Sequence, residues 1–209
     1  MTRVMSLTGH GEVRAVPDLA MITMGVFANA PSAGEALAAN TASMTKLMAV
    51  LKSNGIAAKD IATTNFSVSP HYDDGQNNIQ PPRIVGYDVS NNVTVTVHKL
   101  DSMGALLDKA VTSGSNQING IMFSISDPET AMDEARKNAV KDATRKAKLY
   151  VAEMAVTLGK IAAISEGGGV MQQPVMMRAK SMASDSAPVP ISQGEQIISA
   201  DVNITWELN

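Results

Sequence analysis

The stretch DPETAMDEARKNAVKDATRKAKLYVAEMAVTLG, residues 127–159, decides the reading of the fold, because its pattern, start and stop agree on one helix. Asp127 offers a carboxylate to the free amides of the first turn, Pro128 fits the first helical position, and Glu129 suits the positive end of the helix dipole. Ala131, Ala135, Ala139, Ala143 and Ala147 recur every four residues. Flanked by Met132, Tyr150, Val151, Met154 and Leu158, they form one narrow apolar stripe, and Gly159 reads as the stop. Small side chains let another backbone come close, so the stripe suits a helix pressed flat on a sheet or against its copy in a neighbouring subunit. The remaining faces carry Arg136, Lys137, Lys141, Arg145, Lys146 and Lys148 against Asp133, Glu134, Asp142 and Glu153. Opposite charges three and four apart pair there, each pair contributing roughly 0.2–0.5 kcal/mol.

Upstream, the chain alternates between strand and helix patterns. Arg3 to Leu7 reads as a short strand, Gly9-His10-Gly11 as a turn, and Val13 to Val16 as extended. From Ala20, the residues Ala20, Ile22, Met24, Val26 and Ala28 share one face of a strand. Pro31-Ser32 opens a helix to about Ser53, with Leu37, Met44, Leu47, Met48 and Leu51 as its buried stripe and Asn54-Gly55 as its stop. Thr63 to Ser69 is a strand with Phe66 and Val68 inward, and Pro70 to Pro82 is a loop by composition. Tyr87, Val89, Asn91, Val93, Val95 and Val97 then face one way along the clearest strand. A helix beginning at Asp101 or Ser102 and closing at Gly114 buries Met103, Leu106, Leu107, Ala110 and Val111. Asn119 to Ser126 follows as a strand, with Ile121, Phe123 and Ile125 on one face.

Residues 20–126 therefore spell strand, helix, strand, strand, helix, strand. This is the split β-α-β-β-α-β arrangement of an α+β fold, an antiparallel sheet with helices on one face. Residues 127–166 add the long helix and a strand near Ile161 to Glu166. Residues 167–194, rich in Gly, Pro, Ser and Met, read as a mobile loop or projecting arm. Residues 195–209 form a terminal strand that pairs with the N-terminal strand or a neighbour. No internal repeat is visible.

Composition narrows the function classes. The 209 residues are 44% hydrophobic, enough for a buried core. A net charge of -3 gives no global attraction to nucleic acid or an acidic membrane surface. Aromatic residues are only 3%, too few for base stacking or for the aromatic girdles of an outer-membrane barrel. The absence of cysteine excludes thiolate metal sites, disulfides and cysteine nucleophiles. No run of 18 apolar residues offers a transmembrane helix. Met1 to Leu7 lack the apolar core of a secretion signal, which leaves either a cytosolic protein or one whose signal has been removed.

No motif makes a convincing reactive centre. Gly9-His10-Gly11 lacks the third glycine or the Gly-Lys-Ser/Thr of a phosphate loop, and Gly167-Gly168-Gly169 fails in the same way. Ser43-Met44-Thr45-Lys46 has the Ser-x-x-Lys spacing of penicillin-binding enzymes without their accompanying elements. His71, Asp73 and Asp74 form the one compact histidine-carboxylate cluster, a candidate for metal recruitment or a metal-assisted hydrolase. His10 reads as a turn residue and His98 as a solvated one. Of fourteen methionines, Met171, Met176, Met177 and Met182 fall in the 167–194 segment, where they would meet oxidants or pack on another subunit. The sequons at Asn65, Asn92 and Asn203 lie inside strands and reflect strand composition. No catalytic, cofactor-binding or metal-ligating residue is expected.

Four blocks in order resemble the SIMPL domain family. They are Gly9-His10-Gly11-Glu12-Val13 with Pro17-Asp18-Leu19-Ala20, Gly86-Tyr87-Asp88-Val89-Ser90-Asn91, Glu134-Ala135-Arg136-Lys137-Asn138-Ala139 with Lys146-Ala147, and Pro190-Ile191 with Gly194-Glu195. The resemblance spans nearly the whole chain. It implies a secreted periplasmic or envelope protein, like relatives that include an immunogenic antigen forming a channel-like ring and a protein of oxidative stress defence. It supplies no catalytic residues. The expectation is a non-enzymatic homo-oligomer in the envelope, with no cofactor and no nucleic-acid partner. The alternative is a monomeric or dimeric module that binds a peptide or small ligand at a strand edge or the Met-rich loop.

Overall fold

The computed structural model describes residues 3–73, 83–167, 173–175 and 191–209. The chain divides into two compact units. One comprises the described residues within Met1–Pro17, Ile125–Lys180 and Gln193–Asn209; the other, those within Asp18–Ser124 and Ser181–Ser192.

The second unit is the split core. Strands β2 (Leu19–Ala30), β3 (Ile61–Asp73), β4 (Arg83–Val97) and β5 (Gln117–Ser124) form one sheet in the order β3-β4-β2-β5, every pair antiparallel. Helix α1 (Ala33–Ser53) starts on a capping box. Ser32 accepts from the Glu35 amide, and the Glu35 carboxylate accepts from the Ser32 amide. It ends at Asn54, and Gly55 supplies the left-handed φ of 85° that no β-carbon would tolerate well. Helix α2 (Met103–Thr112) buries Met103, Leu106, Leu107 and Ala110. Together, α1 and α2 cover one sheet face around Ile22, Met24, Val93, Val95, Leu47 and Leu51.

Three expectations need correction here. Leu37 and Val111 are exposed rather than buried. The α1 stripe runs instead through Ala36, Asn40, Met44, Leu47 and Leu51, and Asn40 is buried because its amide donates to the carbonyls of Val26 and Val89. The segment Pro70 to Pro82, read as a loop, is strand as far as Asp73. Its remainder, residues 74–82, lies outside the described residues.

The other unit is a helix on a sheet. β1 (Val4–Ala15) and β8 (Glu195–Leu208) pair antiparallel along their whole length, from Val4↔Glu207 to Ala15↔Gln196. β6 (Leu158–Gly167) and the short β7 (Gln173–Val175) pair with the opposite side of β8. Helix α3 (Pro128–Glu153), capped by Asp127, buries Met132, Ala135, Ala139, Ala143 and Ala147 against β1 and β8. Thus the alanine stripe is used within the chain.

Gly9-His10-Gly11 is not a turn: β1 runs straight through it. The glycines are there because α3 lies so close that a β-carbon on Gly9 would run into the Ala139 carbonyl and Ala143, and one on Gly11 into the Ala135 carbonyl and Ala139 amide. The stop of α3 is also earlier than the sequence suggests. The helix ends at Glu153, Ala155 takes the left-handed turn at φ 54°, and Gly159 belongs to β6, where a β-carbon would crowd the Glu207 backbone. Met154 and Tyr150, read as part of the apolar stripe, are exposed, and Leu158 packs from the strand. Of the segment 167–194, Gly167 closes β6 and residues 173–175 form β7. The expectation of a mobile arm otherwise falls almost entirely outside the described residues, including Met171, Met176, Met177 and Met182.

Candidate interaction surface

Each sheet ends in strands whose outer main-chain groups need partners, and the chain treats these edges differently. On the outer side of β1, three α3 side chains one turn apart bond the strand's backbone. Asn138 donates to the Glu12 carbonyl at 3.4 Å, Asp142 accepts from the His10 amide at 3.1 Å, and Lys146 donates to the Thr8 carbonyl at 3.0 Å. That edge is closed to further strands. Where β2 outruns β5, Asn116 imitates a strand residue: its side-chain oxygen accepts from the Phe27 amide at 2.7 Å and its amide donates to the Phe27 carbonyl at 2.8 Å. The β5 edge is interrupted by Gly120 at φ 78° and by a register shift opposite Ile22 and Met24.

The β3 edge has no such cover among the described residues: no side chain of theirs bonds the backbone of residues 65–70. The register sets Phe66 opposite Asn91 and Val68 opposite Val89, so both side chains share the helix face, but the expectation that they are buried needs correction. Helix α1 lies over β2 and β4 and leaves them 54% and 45% exposed. Tyr72, Ile84 and Val85 on the β3–β4 arm are exposed as well. Between α1 and β3 lies a cavity of ≈ 560 Å³, walled by Met44, Met48, Thr63, Asn91 and Val93. An exposed apolar surface of this kind is the usual mark of an interaction site.

β6 repeats the arrangement more weakly. Ile161 and Ile164 pair with Trp206 and Ile204, which places them on the α3 side, but both remain exposed. The Arg136–Glu166 ion pair at 2.9 Å is the polar link from α3 to this strand.

The candidate chemistry separates rather than converges. Each histidine faces an aspartate: His10 Nδ1 with Asp201 at 2.8 Å, His71 Nδ1 with Asp88 at 3.1 Å, and His98 Nε2 with Asp60 at 3.6 Å. His71 therefore turns to Asp88 rather than to Asp73, while Asp74 lies outside the described residues. The Asn29 amide, and after it the His71 ring, hold the Asp88 carboxyl below its usual range against the opposing effect of desolvation. Among the described residues, no group of three metal-binding side chains occurs. Ser43 and Lys46 share α1 but form no bond with each other. A second cavity, of ≈ 170 Å³, brings Asp60, His98, Lys99 and Lys109 together; there Lys109 donates to Asn54 at 2.7 Å. Among the described residues, no helix is long and apolar enough to cross a membrane.

Sequence reading missed the Asn138, Asp142 and Lys146 row and Asn116. The first carries a signal, four-residue spacing on one flank of the alanine stripe; the second carries none without the β2–β5 register.

Comparison with known proteins agrees with the motif blocks. The model of the SIMPL family, described as a protein of unknown function, matches residues 5–206. The chain is 35% identical to the 26 kDa periplasmic immunogenic protein of Brucella melitensis over 210 residues, covering 98% of this chain and 84% of that protein. It is 30% identical to the uncharacterized protein YggE of Escherichia coli K12 over 184 residues, covering 87% of this chain and 72% of that one. None of these descriptions states an enzymatic activity.

Proposed function

From the premise that the chain belongs to the SIMPL family, we propose that it is a non-enzymatic periplasmic protein whose working form is a homo-oligomer, a ring or channel-like scaffold of the cell envelope. The periplasm is the location in the name of the Brucella relative. The observation that carries self-assembly is the unequal treatment of the sheet edges. Side chains close β1 and the end of β2, whereas the long β3 edge, with Phe66 and Val68 half exposed, is left open among the described residues. Open strand edges join other strands, and joining copies of the same chain into a closed set is the commonest stable outcome. The link to oxidative stress defence rests on the family resemblance alone and would act through envelope integrity. Light scattering on purified protein at micromolar concentration tests the reading. A mass several times that of one chain is expected, and a strictly monomeric species would end it.

The cavity beside α1 favours a second reading, an extended peptide captured at β3. It predicts monomers that bind unfolded apolar peptides.

A further inference from the structure

We infer that β3 is a two-fold self-pairing strand, which joins one copy of this chain to a second copy about an axis at Ser67. This rests on the self-assembly reading above and names the contact it uses. The ladder between β3 and β4 is regular from Asn65 to His71, with register shifts just before and just after. Within that run, Pro70 has no amide hydrogen to give, and proline in a sheet turns its nitrogen to the free side. Phe66 and Val68 share its parity, so their amides and carbonyls point outward, and Ser67 and Ser69 point theirs to β4. The outward groups are those a second strand needs.

Antiparallel pairing of this strand with itself about Ser67 makes the central facing pairs compatible, and the shared ladder ends where Thr64 meets Pro70, which has no amide hydrogen to give. Phe66 meets Val68 of the second copy on the helix side, apolar against apolar, and does so twice because the contact is isologous. Asn65 meets Ser69, polar against polar. The residues of the strand that can carry charge at neutral pH, His71 and Asp73, lie at or beyond the end of the regular run, so no like charges meet near the axis. The two sheets become one, with both helix layers on the same side. The walls of the α1 cavity, Met44 and Met48, then face the seam from each copy. A charged or interrupted edge would not accept this register, and β6, whose regular run is limited to Ala163 to Gly167 and carries Glu166, is a poorer candidate.

Self-pairing also fixes the geometry at the axis. Phe66 and Val68 form hydrogen-bonded pairs, so Ser67 faces its own copy across a non-hydrogen-bonded position, where Cα atoms stand about 4.5 Å apart and a disulfide closes readily. The chain has no cysteine, so single cysteines can be read without background. Under mild oxidation, Ser67→Cys is expected to convert most of the protein to a covalent dimer. Ser69→Cys, equally exposed but facing Asn65 in this register, stays largely uncrosslinked. Val68→Lys, checked for native circular dichroism, is expected to reduce the oligomer mass at least twofold. An oligomeric protein in which Ser67→Cys does not crosslink, or crosslinks no better than Ser69→Cys, overturns the β3 seam and leaves self-assembly standing. A monomeric wild type overturns both.

Discussion

Asp142 shows how one side chain ties a helix to a strand edge. Lys146 Nζ and Arg145 lie at 2.7 Å from its two oxygens, and the His10 amide donates to it at 3.1 Å. Lys146 first, then Arg145 and then the amide hold the carboxyl well below the usual carboxylate range. A depressed folded-state value means that the stabilisation is fully present above the unfolded value of about 3.9 and is lost as pH falls through the folded one. Asp142→Asn should therefore cost about 1 kcal/mol at pH 7, the scale of a partly exposed charged hydrogen bond. The difference from wild type should narrow below about pH 4, as urea unfolding at pH 7 and pH 3 would show. Asn40 carries the opposite lesson. Its spacing from Ala36, Met44, Leu47 and Leu51 puts it on the buried stripe of α1, but an asparagine there reads as exposed until the two carbonyls it bonds are in place.

At the scale of elements, the contact between α3 and β1 is set by missing side chains on both sides, alanine on the helix and glycine on the strand. Gly11→Ala puts a methyl group against the Ala135 carbonyl and the Ala139 amide, neither of which is a flexible side chain. The helix must lift, and unfolding free energy should fall by about 1–3 kcal/mol in a denaturant titration. The alanine period and the helix start are legible in sequence because both are local. The role of Gly9 and Gly11 is not, because glycine signals a turn by default and the helix that requires it lies more than a hundred residues later. The end of α3 misleads for a related reason: Ala155 takes the left-handed turn that glycine usually takes, and Gly159 answers to the Glu207 backbone across the sheet. For β3, alternation groups Phe66 with Val68 on one face, but reading that face as buried is wrong, since both are exposed. Whether α1 reaches far enough to cover them is a matter of helix placement that no periodicity encodes.

At the scale of the whole molecule, the fold class is readable because strand and helix periods alternate cleanly from Ala20 to Ser124, and the four-stranded antiparallel sheet follows from them. The interaction surface is readable only in part. Side-chain cover of β1 by Asn138, Asp142 and Lys146 and the lack of such cover on β3 among the described residues emerge from register, not from residue type. The central claim is that this open edge is buried in a second copy of the chain. Amide hydrogen exchange at Phe66 and Val68 in native protein at micromolar concentration tests it most directly. The account predicts strong protection that weakens on dilution below the assembly range. Exchange at those two amides as fast as in an unstructured chain, at concentrations where the protein is fully folded, would contradict it.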